Sequence, residues 1–253
     1  MRTRIVALVP MRHTSERVAG KNYRRFGDEP LFHHILNSLA SCGVVDRIVV
    51  DTDSPVIMND VKLNFPGVLL IERAEHLRAG TVPMNDVLAW DIAHVEADVY
   101  LQTHSTNPLL KPETVRRAIE QFQAHQPTYD SLFAVTRLQV RLWDPHARPI
   151  NHDPAVLLRT QDLPPVYEEN SNLYIFTRAS FEKAGNRIGE RPLMFEMDRL
   201  ETVDIDEEID FQIAEFLYGK FSRKPQTQEG EVEKSTGHGP VPAAGHRPVH
   251  AAF

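Results

Sequence analysis

The chain has 253 residues, with 28 lysines and arginines against 35 aspartates and glutamates, which gives a net charge of -7 with histidine neutral. This length suits one large α/β domain or two small ones, and the acidic balance argues against a protein that coats nucleic acid through a broad basic face. Charges interrupt every apolar run before the roughly 18 residues of a membrane span, and the single cysteine, Cys42, excludes an internal disulfide or a multi-cysteine zinc site. The N-terminus leads directly into a strand-like run without a signal peptide, so we expect a cytoplasmic protein.

Patterns typical of strands and helices alternate through the first half of the chain. An apolar run at residues 5–9, ended by Pro10, is typical of a buried strand in a parallel sheet. This alternation indicates a mostly parallel sheet with helices on both faces. Further strands are predicted at 47–50, 68–71, 98–102 and 131–136, with helices at 30–41, from Asp53 onward, at 84–95 and at 111–125.

Two of these helices carry local signals of their own. In the helix that starts near Asp53, we interpret the carboxylate as a cap that precedes an early proline, Pro55. In the helix at 111–125, helical spacing predicts that Val115, Ile119 and Phe122 are buried.

The pattern changes after residue 137. Residues 138–170 contain five prolines and little periodicity, and a long irregular excursion in a compact domain is usually functional or lies at an interface. Strand character returns at 172–176 and 201–205, and a helix at 207–218 places Ile209, Ile213 and Leu217 on one stripe. Residues 222–253 have too few large apolar side chains to offset the entropy of ordering, so we predict a folded domain at 1–221 and a disordered tail.

The loop after the first strand, residues 10–22, is the most informative segment. Ligands bind at the carboxyl ends of strands in an open α/β sheet. A loop there with Arg12, Ser15, Arg17 and Lys21 offers the cations and backbone N–H groups that a polyphosphate requires. A solvated basic loop would have the same composition, and neither of the common glycine-rich phosphate fingerprints is present.

Two aspartates late in the chain suggest a metal site. Asp204 and Asp206 are two residues apart, so on a strand their side chains would point the same way. Mg²⁺ binds proteins through one or two carboxylates plus substrate phosphates. The alternative is that Asp206 caps the following helix and Asp204 pairs with a surface cation.

Six segments, in order, resemble the cytidylyltransferases that activate sialic acids and Kdo. In the first loop, Arg12, Ser15, Lys21 and Asn22 are in register with the sialic acid enzymes, whereas Arg17 and Gly20 match the Kdo enzymes better. The other five segments are 51–54 (DTDS), 73–75 (RAE), 101–109 (LQTHSTNPL), 169–175 (ENSNLYI) and 201–206 (ETVDID).

This resemblance implies a fold, an activity and a set of site residues. The fold would be Rossmann-like, with 138–170 as a projecting dimerisation segment on the acceptor side, and the protein would be a homodimer. The activity would be transfer of CMP from CTP to a small acidic acceptor, with release of pyrophosphate and with Mg²⁺ as the metal. The implied residues are Arg12 and Lys21 for catalysis; Arg12, Ser15, Lys21, Asn22, Arg73, Asn85 and Gln102 for the nucleotide; Arg159, Gln161 and Tyr174 for the acceptor; and Asp204 and Asp206 for the metal.

The sequence does not determine the identity of the acceptor. A sialic-acid-type ulosonic acid is the family's default, but some relatives act on small phosphonates, for example phosphonoformate, in antibiotic biosynthesis. The hybrid first loop, the two extra residues in 101–109 and Ser171 in place of glycine depart from the sugar pattern. Two further alternatives are a non-catalytic nucleotide-binding module, which would lack the paired aspartates, and a sugar-1-phosphate nucleotidyltransferase that uses another base.

Overall fold

The structure, a computed structural model, describes residues 2–221, so the predicted tail at 222–253 lies outside the described residues. The strands in this part of the chain are β1 (Ile5–Met11), β2 (Arg25–Phe26), β3 (Glu29–Pro30), β4 (Arg47–Thr52), β5 (Leu69–Glu72), β6 (Val99–Gln102), β7 (Ser131–Leu138), β8 (Val166–Phe176) and β9 (Pro192–Glu196). The α-helices are α1 (Leu31–Ser41), α2 (Pro55–Asn64), α3 (Met84–His94), α4 (Pro112–His125), α5 (Arg178–Ala184) and α6 (Glu208–Phe221).

Seven of the strands form one mixed sheet in the order β5-β4-β1-β6-β8-β7-β9. The first four in this order are parallel, and in the register Ala7 lies opposite both Ile48 and Leu101. β8 runs antiparallel to both of its neighbours, and β9 extends the sheet parallel to β7. The carboxyl ends of β1, β4, β5 and β6 therefore meet at the same edge.

The core lies on both faces of the sheet because side chains alternate along β1. Ala7 and Val9 belong to the apolar cluster that α1, α2 and α4 cover. Val6 and Leu8 belong to the opposite cluster, which contains residues of α3 and α5. The predicted α/β architecture with helices on both faces is therefore confirmed, as are the buried Val115, Ile119 and Phe122 of α4.

The prediction of a strand at 201–205 is wrong. These residues form a turn and an irregular segment, and the Ile205 N–H donates to the Thr106 carbonyl instead of joining a ladder of the sheet. The alternating apolar residues that suggested a strand pack elsewhere, because Val203 and Ile205 contact the small cluster around Phe26 and Phe211. Other elements also differ from the prediction: β8 begins at Val166, inside the irregular excursion, and β2, β3, α5 and β9 were not predicted.

Two local predictions about helices also need correction. The cap of α2 is Ser54, whose hydroxyl accepts from the Ile57 N–H at 3.3 Å, whereas the Asp53 carboxylate accepts from the His13 N–H at 2.7 Å. In α6 the buried face carries Phe211 and Ala214, and the stripe with Ile209 and Ile213 is exposed. None of the helices within residues 2–221 is long and apolar enough to cross a membrane.

Candidate functional site

A cavity of about 390 Å³ opens at the carboxyl ends of β1 and β6. In open α/β sheets this edge is where ligands bind. The wall is built from the loop after β1, the segments that follow β5 and β6, and the start of α3. It includes five of the predicted nucleotide-binding residues, namely Arg12, Ser15, Lys21, Asn22 and Arg73.

The loop after β1 has its shape because of Gly20 and Asn22. Gly20 has a left-handed φ of 62°, and a Cβ on it would lie 2.9 Å from the Tyr23 ring, so both the conformation and the close approach require glycine. The buried Asn22 donates to the Arg12 carbonyl at 2.7 Å and accepts from the Ser105 hydroxyl at 2.8 Å. Asn22 therefore ties the loop after β1 to the loop after β6.

The structure brings Lys21 together with the two late aspartates. The Lys21 ammonium donates to the Ile205 carbonyl at 2.6 Å and lies 4.0 Å from an Asp206 oxygen. The same Asp206 oxygen accepts from the Arg17 guanidinium at 2.5 Å. Burial lowers the pKa of Lys21, and the negative charges of Asp204 and Asp206 oppose that effect. The basic loop and the acidic pair therefore form one electrostatic unit.

The carboxylate of Asp204 is largely buried, and only part of its hydrogen-bonding capacity is used. Burial raises the pKa of its carboxyl above the ordinary value, while a hydrogen bond with Thr106 opposes the rise and the charge of Asp206 adds to it. Its Oδ1 atom is buried and has no hydrogen-bond partner among the described residues. An orphaned carboxylate oxygen beside a second carboxylate fits a divalent cation that completes its shell with substrate oxygens. Such a cation would need those oxygens, since residues 2–221 contain no group of three or more protein ligands.

Arg73 lies at the cavity wall above two buried carboxyls. It is only 2% exposed, and its Nε donates to Asp51 at the end of β4. Behind this pair, on α3, Asp91 is fully buried and faces Asp51. If both carboxyls were ionised, both oxygens of Asp91 and the Oδ2 of Asp51 would lack a donor. Burial, with the charge of Asp51, raises the pKa of Asp91 to about 9, so Asp91 carries a proton at neutral pH and donates it to Asp51.

Gln102 and Asn85 lie behind the cavity wall and not in it. Gln102, at the end of β6, is fully buried, and its Oε1 accepts from the Arg187 guanidinium at 2.7 Å. This contact fixes the orientation of the amide, so its Nε2 faces the Nε2 of His104 at 3.0 Å. The Asn85 side chain accepts from the Arg187 N–H at 3.3 Å. Both residues therefore hold Arg187, which the sequence did not single out.

His104 is a neutral residue of the cavity wall. Burial above all, together with the charges of Arg187 and Lys21, lowers the pKa of His104 well below its ordinary value. Since Gln102 presents an N–H to the Nε2 of His104, that nitrogen is the acceptor and the ring proton is on Nδ1.

The three predicted acceptor residues lie in different places. Tyr174 is buried in β8, where its hydroxyl donates to Glu169 and the Arg187 guanidinium stacks 3.6 Å from the ring centre. Arg159 is exposed and pairs with Asp162 at 2.6 Å, within the loop between β7 and β8. Gln161 is exposed in the same loop, and neither Arg159 nor Gln161 lines the cavity as residues 2–221 form it.

The sequence analysis missed two residues of the site, Asp91 and Arg187, for different reasons. Asp91 left a signal, because an aspartate stands beside Val87, Leu88 and Ile92 on the buried face of α3. No sequence signal indicated Arg187, because its loop has no periodicity and only the fold brings that loop to Gln102 and Tyr174.

Comparison with known proteins gives consistent matches over most of the chain. The family model described as Cytidylyltransferase matches residues 6–222. A CMP-N,N'-diacetyllegionaminic acid synthase of Legionella pneumophila is 29% identical over 230 residues, which covers 85% of this chain and 96% of that protein. N-acylneuraminate cytidylyltransferase A of Danio rerio is 27% identical over 88% of this chain, but the match spans only 53% of the fish protein.

Two solved structures share the fold at low sequence identity. A CMP:2-keto-3-deoxy-manno-octonic acid synthetase complexed with CTP superposes with a TM-score of 0.64 at 15% identity, over 86% of this chain and 99% of that one. A 4-diphosphocytidyl-2C-methyl-D-erythritol synthase superposes with a TM-score of 0.62 at 17% identity, with the same coverage of 86% and 99%. The fold is therefore the Rossmann-like nucleotidyltransferase fold.

The proton on Asp91 predicts a pH dependence of stability. A carboxyl whose pKa is raised by folding stabilises the native state at low pH, and this contribution is lost as pH rises through the folded pKa, here about 9. The loss is at most about 1.4 kcal/mol per pH unit. In Asp91→Asn the amide can donate to Asp51 at every pH. We therefore expect its free energy of unfolding to improve relative to wild type between pH 6 and pH 9.

Denaturant unfolding at several pH values measures this difference. Asp86→Asn, at an exposed position of the same helix, is the matched control. Parallel stability curves for Asp91→Asn and wild type would show that Asp91 is not protonated in the folded protein.

Proposed function

Because the chain belongs to the cytidylyltransferase family and is thus a CTP-dependent nucleotidyltransferase, we propose that it transfers CMP from CTP to a small acidic acceptor and releases pyrophosphate. The observation that carries this proposal is the meeting of Lys21 with Asp204 and Asp206 beside the cavity. A triphosphate needs cations close to carboxylates that can share a metal with it, and this arrangement supplies both.

The phosphates would lie against the loop after β1. Arg12, Ser15 and Lys21 line the cavity there, and backbone N–H groups of such a loop add further donors. Arg73 lines the cavity while Asp51 accepts from its Nε and, through the backbone carbonyl at 3.5 Å, from one Nη, so the other Nη can face the base or the ribose. We assign Asn22, Asn85 and Gln102 to positioning, because their side chains already have partners inside the protein.

The chemistry is a displacement at the α-phosphorus. An acceptor oxygen forms a bond to phosphorus as the bond to the bridging oxygen of pyrophosphate breaks, and negative charge grows on the leaving group. A hydroxyl acceptor gives its proton to solvent in this step, whereas a phosphonate oxygen is already deprotonated. Phosphoryl-type transfer asks the protein mostly for positioning and for stabilisation of that charge. Arg12 and Lys21 would supply it to the β- and γ-phosphates.

Asp204 and Asp206 are the residues that would hold Mg²⁺. When bound, the ion would neutralise phosphate charge and polarise the α-phosphate. The unpartnered Oδ1 of Asp204 supports this assignment. Asp206 would exchange its contact with Arg17 for the metal, which frees the Arg17 guanidinium for a phosphate oxygen.

For the acceptor, we propose an acidic sugar of the ulosonic type, with a phosphonate as the alternative. The support for a sugar is that relatives are named for diacetyllegionaminic acid and acylneuraminate. The alternative has support at Ser171, which has a left-handed φ of 58° at a position where the family pattern has glycine. A side chain kept in a conformation that glycine adopts more easily suggests a local change of use.

We also propose a homodimer formed through the loop between β7 and β8, residues 139–165. This loop exposes Ile150, Val156 and Leu157, the last of them 89% exposed. Such a group of exposed apolar side chains on one loop supports an interface.

Lys21→Ala tests the role of the loop cation. The side chain stabilises charge that develops in the transition state, so we expect turnover to fall by about 100-fold or more. Lys62→Ala, at an exposed position of α2, is the control and should keep wild-type turnover. Pyrophosphate release measures both variants, and thermal melting checks that each is folded. Unchanged turnover in Lys21→Ala would refute its role.

Asp204→Asn tests the metal assignment. An amide oxygen is a weaker Mg²⁺ ligand than a carboxylate, so we expect the Mg²⁺ concentration for half-maximal pyrophosphate release to rise by about 10-fold or more. Asp198→Asn, an exposed position upstream in the same segment, is the control. The assignment fails if the Mg²⁺ dependence of Asp204→Asn matches that of wild type, or if a chelator leaves wild-type activity intact.

A screen with CTP and Mg²⁺ identifies the acceptor. N-acetylneuraminate, Kdo and phosphonoformate are offered separately, and both pyrophosphate and the CMP conjugate are quantified. We expect a conjugate with one class and weak or no use of UTP and ATP in place of CTP. Binding of CTP without Mg²⁺ and without pyrophosphate release would favour a non-catalytic module, and preference for UTP or ATP would favour a sugar-1-phosphate enzyme.

A further inference from the structure

Arg187 is held rigidly although it lies in a loop. Asn85 of α3 accepts from its backbone N–H at 3.3 Å. Two residues on, the Gly189 N–H donates to the Ser131 hydroxyl at 2.8 Å, and a Cβ at Gly189 would meet an Asp130 oxygen at 2.3 Å. The loop is therefore pinned on both sides of Arg187, which gives the guanidinium a fixed place.

The guanidinium of Arg187 lies over an aromatic ring and close to the charge of Glu169. Its Cζ lies 3.6 Å from the centre of the Tyr174 ring, and one Nη donates to Gln102 at 2.7 Å. Among residues 2–221, no carboxylate oxygen forms a salt bridge with it, and the nearby Glu169 accepts from the Tyr174 hydroxyl. Burial lowers the pKa of Arg187, while interactions with Tyr174 and Glu169 oppose that effect. A half-buried cation that forms no salt bridge would be stabilised further by an anionic ligand.

The position of Arg187 separates it from the cations of the first loop. β6 lies between β1 and β8 in the sheet. Lys21 follows β1, whereas Arg187 stacks on Tyr174 of β8, and the charges of both act on His104, which follows β6 and lines the cavity. Positive charge therefore acts on His104 in the cavity wall from two sides, one next to β1 and one next to β8.

We propose that Arg187 binds the acidic group of the acceptor and thereby determines acceptor specificity. The inference deepens the proposed function and rests on it. A planar guanidinium forms two parallel hydrogen bonds with a carboxylate or a phosphonate, and a fixed, partly desolvated one discriminates strongly for such groups. Tyr174 is the platform that orients it, and Gln102 occupies one N–H so that the others face the ligand.

The test compares Arg187→Met and Arg187→Lys with wild type in the full chain. Methionine keeps an apolar stem against Tyr174 but removes the charge, and lysine keeps the charge but loses the planar fork. We expect both variants to raise the acceptor KM by about 10-fold or more, with lysine a poor substitute, while the CTP KM stays within about twofold. Arg191→Gln, in the same loop but lining a different cavity, is the control.

Direct measurement of binding tests the role of Arg187 independently of turnover. Calorimetry in the presence of a non-reactive CTP analogue measures N-acetylneuraminate and Kdo as carboxylate probes and phosphonoformate as a phosphonate probe. Binding of one probe by wild type and its loss in Arg187→Met supports the assignment, and the probe class tells carboxylate from phosphonate. If wild type binds a probe but releases no pyrophosphate with any acceptor, the proposed reaction fails while the subsite stands.

Three results would overturn the inference. One is equal binding of the acidic probes by Arg187→Met and wild type. Another is no binding of any probe by wild type. The third is a loss of CTP affinity in Arg187→Met that matches or exceeds the loss of acceptor affinity, since Arg187 would then serve the nucleotide.

Discussion

The contact on which the site depends is that of the Lys21 ammonium with the Ile205 carbonyl and the aspartates on either side of it. It joins residues 184 positions apart in sequence, because the parallel strands place the loop after β1 at the edge where the segment before α6 also passes. Without this contact the loop would hold a cluster of cations and the late segment a pair of repelling carboxylates. Together the positive charges of the loop and the negative charges of the aspartates stabilise each other. These contacts are open enough that a phosphate could take the place of the aspartates at the cations, and a metal ion the place of the cations at the aspartates.

Charge compensation differs among the cations around the cavity, and the difference indicates what each of them does. Arg73 is matched by two buried carboxyls that share one proton, so it is a fixed part of the wall whose charge is already balanced. Lys21 and Arg17 share their carboxylates and can exchange them for other partners. Arg187 has no carboxylate partner in the described part of the chain. Negative charge brought by ligands is therefore stabilised most where the protein supplies least of its own.

Elements with a regular pattern of burial are predicted correctly from the sequence, whereas segments without such a pattern are not. β1 has a continuous apolar run and α4 a strong helical periodicity, and both were predicted correctly; the residue types of the first loop were enough to suggest an anion site. The segment at 201–205 has strand-like alternation, but Val203 and Ile205 pack against Phe26 and Phe211 and not in a sheet. Arg187 could not be found from the chain alone, because its neighbours come from β6, β8 and α3 and only the fold brings these elements together.

A motif match also leaves open which residues touch a ligand and which build the wall behind it. Asn22 and Gln102 both belong to matching segments, yet each has its amide donor and acceptor occupied inside the protein. An amide with both functions satisfied gains little by turning to a ligand, because it would leave its present partners buried and unpaired. The opposite holds for the Oδ1 of Asp204, which is enclosed and has no hydrogen-bond partner among the described residues. A polar atom that folding has desolvated without giving it a partner is therefore a better candidate for contact with a ligand than an amide whose hydrogen bonds are already made.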